Sequence, residues 1–229
     1  MSSGLVACHA GPTPRVEVFQ LAYLESGPWE PGEPLTMRQF ILMPDGATQA
    51  ALLVDQTVRA VWSCTVPVDI QNTLQSEDPF ALHDSYIPPE PPGLIEEGHP
   101  VTATFFYTRN TQHKVIDARP DDANLPAMLA QLVKTARACA MPSRTLRPDG
   151  RMLRALPLGA QQSALYRDRM RAKTPVASYP EIVRATLDNP LMLHPLASGD
   201  TDITISEGKN ILMRGGDVLL LQVFKAGDD

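Results

Sequence analysis

The chain has 229 residues and 25.0 kDa, with 43% hydrophobic and 20% charged residues, and its 22 prolines lie scattered between apolar runs. That composition can bury a core and excludes a collagenous or wholly disordered chain. The net charge of −6 is uneven, at −10 over residues 1–133, +8 over 134–184 and −4 over 185–229, and no run approaches the 18 apolar residues of a membrane-spanning helix.

Arg15 to Tyr23 alternates and is rich in β-branched and aromatic residues, which predicts a strand ending at Ser26-Gly27-Pro28. A Pro-, Glu- and Gly-rich loop leads to a second strand, Leu35 to Met43. Pro44-Asp45-Gly46 is a turn in which proline presets one dihedral and glycine supplies a positive φ. The Ala47 to Val54 strand completes that hairpin, and Thr57 to Val66 adds a further strand before Pro67.

Residues 67–100 read as a long irregular stretch centred on Pro88-Pro89-Glu90-Pro91-Pro92-Gly93, through which no helix can pass. Val101 to Thr108 and Gln112 to Ala118 form the next hairpin. Asn124 is the expected cap of a helix in which Leu125, Met128, Leu129, Leu132 and Val133 recur at three- and four-residue spacing, ending near Met141-Pro142. Arg147-Pro148-Asp149-Gly150 turns into a short strand, Met152 to Leu156. Ala160 to Lys173 and Pro180 to Leu187 read as helices. The last forty residues return to strand patterns, with Val218 to Leu221 apolar enough to be buried on both faces.

Strands, helices and strands again predict an α+β fold, antiparallel β-meanders with two or three helices packed on the sheet. Residues 1–14 read as a flexible tether or signal remnant and 15–229 as one domain, with a possible sub-boundary near 143–150.

No catalytic signature of high specificity is present, so the expectation leans away from an enzyme, with no catalytic residues, no metal and no cofactor assigned. His113 and Asp117 share a strand face at i and i+4, where a hydrolase could use a general base and its orienting carboxylate. His194, before Pro195 in an apolar stretch, reads as a core or loop histidine with a satisfied hydrogen bond. The basic segment holds Arg144, Arg147, Arg151, Arg154, Arg167, Arg169, Arg171 and Lys173; within it Arg147, Arg151, Arg167 and Arg171 are the candidate anion-binding residues. Only one aromatic, Tyr166, accompanies them, and the acidic total opposes a polyanion, so no nucleic-acid partner is expected. Cys64 and Cys139 are the candidate disulfide in an oxidising compartment; as buried small hydrophobes they would look the same in sequence.

Leu5-Val6-Ala7-Cys8 resembles the lipobox that ends a bacterial lipoprotein signal peptide. No basic or 7–15-residue apolar region precedes it, so the resemblance implies a chain that starts inside its own signal. It further implies lipidation of Cys8, a periplasm-facing place in the cell envelope and membrane contact only through that anchor. A cytoplasmic chain with a fortuitous tetrapeptide is the other reading.

Together these features predict a non-enzymatic binding or inhibitory protein of the envelope, of toxin-immunity or inhibitor type. Its partner would be another protein with a basic contact surface, met by the acidic loop residues Glu90, Glu96 and Glu97. The alternatives are a hydrolase with an unmarked site and a cytoplasmic polyanion-binding protein using the arginines of 144–173.

Overall fold

The computed structural model describes residues 20–27, 32–87, 101–109, 112–143, 150–159, 163–164, 186, 189–196, 211–214 and 217–227. The first four strands, β1 (Gln20–Ser26), β2 (Thr36–Leu42), β3 (Thr48–Val54) and β4 (Thr57–Trp62), form an antiparallel meander. Its second connection closes as anticipated around Gly46, at φ 85°, with the Asp45 carboxylate accepting from the Ala47 N–H at 2.9 Å.

Two short helices follow in chain order, α1 (Val68–Leu74) before and α2 (Ala127–Ala138) after three more strands, β5 (Ser85–Tyr86), β6 (Thr102–Arg109) and β7 (Gln112–Ala118). The rest is β8 (Gly150–Pro157), β9 (His194–Leu196), β10 (Ile211–Arg214) and β11 (Asp217–Ala226). Among the described residues all eleven strands join one sheet, in the order β5-β7-β6-β1-β2-β3-β4-β11-β8-β9, with β10 beside β11.

The fold is thus sheet-dominated α+β. The wholly antiparallel expectation needs correction, because β4 pairs with β11 and β5 with β7 in parallel. Parallel neighbours cannot be joined by a hairpin and leave no turn signature in the sequence. The irregular reading of 67–100 is also corrected in part. Helix α1 forms just after Pro67 and buries Leu74, and a 3-10 turn, Pro79–Ala81, is capped by the Asp78 carboxylate on the Phe80 N–H. The helix stops well short of the proline run.

Asn124 does not cap α2. That helix starts behind Pro126, whose φ of −48° suits a helix entry, while Asn124 is bound into a local turn by Asp122. Its apolar stripe behaves as read: Met128, Leu129, Leu132, Val133 and Ala136 pack with Leu21, Tyr23, Phe40, Leu42, Phe105 and Tyr107 of the sheet. The expected helices over 160–173 and 180–187 lie almost wholly outside the described residues.

The opposite sheet face is covered by the sheet itself. Between Leu52↔Ala60 and Leu53↔Val58 the register shifts by one residue, leaving Arg59 as a bulge in β4. Arg59 donates to the Gly227 carbonyl and Gly227 N–H donates to Val58, so the bulge lies where β4 meets the end of β11. Beyond it β11 and β8 turn over the meander. Phe224, Met152 and Leu193 then pack on Ala51, Leu53 and Val58, and Leu191 packs on Ala22, Ile41 and Phe106. Burial on both faces explains the apolar runs Leu21 to Leu24 of β1, Phe40 to Leu42 of β2 and Val218 to Leu221 of β11.

Candidate functional site

Cys64, just past β4, and Cys139, at the end of α2, are joined by a disulfide with Cα atoms 5.7 Å apart. Each half is held by hydrogen bonds. Trp62 Nε1 donates to the Cys139 carbonyl at 3.1 Å, and the Thr48 hydroxyl both accepts from the Cys64 N–H and donates to its carbonyl. The bond therefore pins α2 to the strand edge of the main core. A hollow of about 280 Å³ lies beside it, lined by Val66, Pro67, Ile70, Gln131 and Lys134.

At the other side of α2, Arg137 bridges β1 and the 119–126 loop. It donates to both oxygens of Glu25, at 2.9 and 3.2 Å, and to Asp121 at 2.6 Å, while the Tyr23 hydroxyl donates to Glu25 at 2.6 Å. Burial works to raise the Glu25 carboxyl, but the bonds from Arg137 and Tyr23 outweigh it and hold the group below the ordinary range. Arg137 likewise lowers Asp121, and burial followed by the Glu25 bond raises the Tyr23 phenol. This is a docking clamp for a helix, with every charge answered.

His113 and Asp117 do share a strand face, but the geometry does not join them. Each meets its own cross-strand threonine: Thr108 Oγ1 lies 2.9 Å from His113 Nδ1, and Thr104 donates to Asp117 at 2.8 Å. Val115 stands between them, and four strand residues separate their backbones by about 13 Å. Asp117 lines a hollow of about 480 Å³ with Asp84, whose carboxylate pairs with Lys114. His194 is only half satisfied: burial lowers its pKa, the Asn189 backbone bond works against that, and Nε2 is buried with no partner among the described residues. Among the described residues no group of three or more His, Cys, Asp or Glu could hold a metal, and no helix is long and apolar enough to cross a membrane.

Of the candidate anion-binding residues, Arg151 lies half-buried in β8, opposite Lys225 of β11 and Leu196 of β9. Arg147, Arg167 and Arg171 lie outside the described residues, as do Cys8, Glu90, Glu96 and Glu97. The segment that carries those glutamates is charged with one sign only. Residues 67–100 hold seven acids and no Lys or Arg, and in its described part Asp69, Glu77, Asp78 and Asp84 are exposed.

Arg154, another arginine of the basic segment, does not lie on the surface. It is 2% exposed, at the centre of β8. Its Nε and Nη2 donate to Gln222 Oε1 at 3.1 and 2.7 Å, its Nη1 donates to Gln39 Oε1 at 2.5 Å, and its guanidinium lies 4.7 Å from the centre of the Phe224 ring. Among the described residues it has no carboxylate partner. Burial pushes its pKa down to about 10, which still leaves it charged at neutral pH. The signal available in the sequence is its place inside the apolar run Met152 to Leu156, where an exposed arginine would be out of pattern.

Gln39 belongs to a second device. Gln20 of β1, Gln39 of β2 and Gln49 of β3 donate to the carbonyls of Pro190, Leu191 and Leu193, and Gln49 Oε1 accepts from the Leu193 N–H. Three adjacent strands thereby grip the 189–193 segment through side-chain amides. No protein family matches the chain, and no curated protein is detectably similar to it in sequence.

Proposed function

We propose that this chain is a binding or inhibitory protein of the bacterial cell envelope, facing the periplasm, that captures another protein with a basic contact surface. A toxin-immunity or inhibitor protein is its concrete form. The observation that carries the reading is the Cys64–Cys139 disulfide, because such a bond between a core strand and a helix persists in an oxidising compartment and is rare in a reducing one. The lipobox-like Leu5-Val6-Ala7-Cys8 supports the same location.

The one-signed segment 67–100, including Glu90, Glu96 and Glu97, supports a basic partner, since complementary charge steers encounter and rejects acidic competitors. The test is cross-linking in the native source, followed by repetition with the triple variant Glu90→Ala, Glu96→Ala, Glu97→Ala. A weaker complex with a flatter dependence on salt is expected. An unchanged complex removes that surface, and recovery of the chain from the cytoplasm with all thiols free overturns the location.

A further inference from the structure

A cleft of about 450 Å³ opens beside Arg154, with Leu35, Met37, Leu53, Gln56 and Phe224 among its walls. That volume lies within the range of small-molecule sites. Among the described residues Arg154 is the only charged one lining it, and the rest of that lining is apolar apart from Gln56 and Gln222. We propose that this cleft binds a small monocarboxylate with an apolar body, its carboxylate seated on the Arg154 guanidinium and its hydrocarbon lying along Leu35 and Met37.

A cation withdrawn from water is costly unless a counter-charge answers it, and here two neutral amide oxygens are its only acceptors among the described residues. Those bonds use three of the five N–H groups of the guanidinium, so two remain for a ligand. A single planar guanidinium matches one carboxylate; a phosphate dianion would call for a second cation, and the described lining residues offer none. The Phe224 ring and the Gln39 and Gln222 amides fix the orientation of the group in advance. The rim is fixed as well. Asp55 and Gln56 turn between β3 and β4 at φ 46° and 64°, and Asp55 is bonded to both the N–H and the carbonyl of Leu35. Gln56 is a poor residue for that backbone region, and strain of this kind clusters at ligand clamps.

The experiment is calorimetric titration of the full chain with octanoate, octanol and inorganic phosphate. Octanoate is expected to bind with 1:1 stoichiometry, with octanol and phosphate each weaker by about tenfold or more, the loss for one charge-assisted pair. Arg154→Met should abolish the preference for octanoate over octanol. Because that variant removes a buried group on which folding depends, Leu35→Trp supplies the second test: Leu35 is 38% exposed at the rim, so the fold survives while the mouth is filled. Its octanoate affinity should fall about tenfold or more at unchanged melting temperature. Absence of octanoate binding at millimolar concentration overturns the proposal. So does equal binding of octanol or phosphate, or full octanoate affinity in a folded Leu35→Trp protein.

Discussion

Gln39 donates from Nε2 to the carbonyl of Leu191 at 3.0 Å, 152 residues away in sequence, while its Oε1 accepts from Arg154 at 2.5 Å. One wholly buried amide thus joins β2 to both segments that cover it. Gln39→Leu keeps much of the volume but strands the Leu191 carbonyl and removes an acceptor from a buried cation. The expected cost is about 3 kcal/mol, read by urea denaturation, against about 1 kcal/mol for Gln49→Leu at the part-buried end of the clamp.

Leu191 itself adopts φ 76° with no exposed surface, after Pro190, in a turn position that ordinarily calls for glycine. Its side chain fills the cluster of Ala22, Ile41 and Phe106, and its N–H donates to the Ala155 carbonyl at 2.7 Å, so packing and hydrogen bonds offset the strain. Leu191→Ala loses the packing and keeps the strain, whereas Leu191→Gly loses the packing and releases it. The glycine variant should therefore be the more stable of the two by about 1 kcal/mol, the reverse of the order at an ordinary buried site. Equal or inverted stabilities in parallel denaturation curves would contradict the strain.

Gln56 offers the same argument on the surface. At φ 64° and exposed, it has no packing to lose. Gln56→Gly creates the Asp-Gly pair favoured in such two-residue hairpins and should stabilise the fold by about 0.5–1 kcal/mol in thermal unfolding.

The Glu25 clamp sets a pH dependence. Its carboxyl is depressed in the folded state, so the unfolded chain binds the proton more readily; the contribution is complete above the ordinary Glu pKa and is lost as pH falls through the lower folded value. Glu25→Gln should cost about 1–2 kcal/mol at neutral pH, discounted for the partly exposed Arg137. The gap from wild type should close in the acid limb of a stability–pH profile and stay constant above pH ~6.

Strand periodicity, the Pro44-Asp45-Gly46 turn and the apolar stripe of α2 were legible in the sequence because each is written in neighbours a few residues apart. Periodicity says which residues share a face and not what lies on it. The turning of β11 and β8 over the meander depends on a bulge at Arg59 and on a parallel pairing of Thr57 with Lys225, both long-range. Burial of Arg154 and the glutamine clamp follow from that turning, so neither could be read from charge counting. Helix α1 was hidden by its brevity, since two turns give no repeat to detect.

The most direct test of the envelope assignment is a thiol count with intact mass on protein purified from its native source, denatured with and without reductant. The account predicts that Cys64 and Cys139 react only after reduction, that Cys8 is N-terminal and lipid-bearing, and that removing the bond by Cys64→Ala with Cys139→Ala costs about 4 kcal/mol for a 75-residue loop. Three freely reactive thiols on a chain that retains Met1 would contradict it.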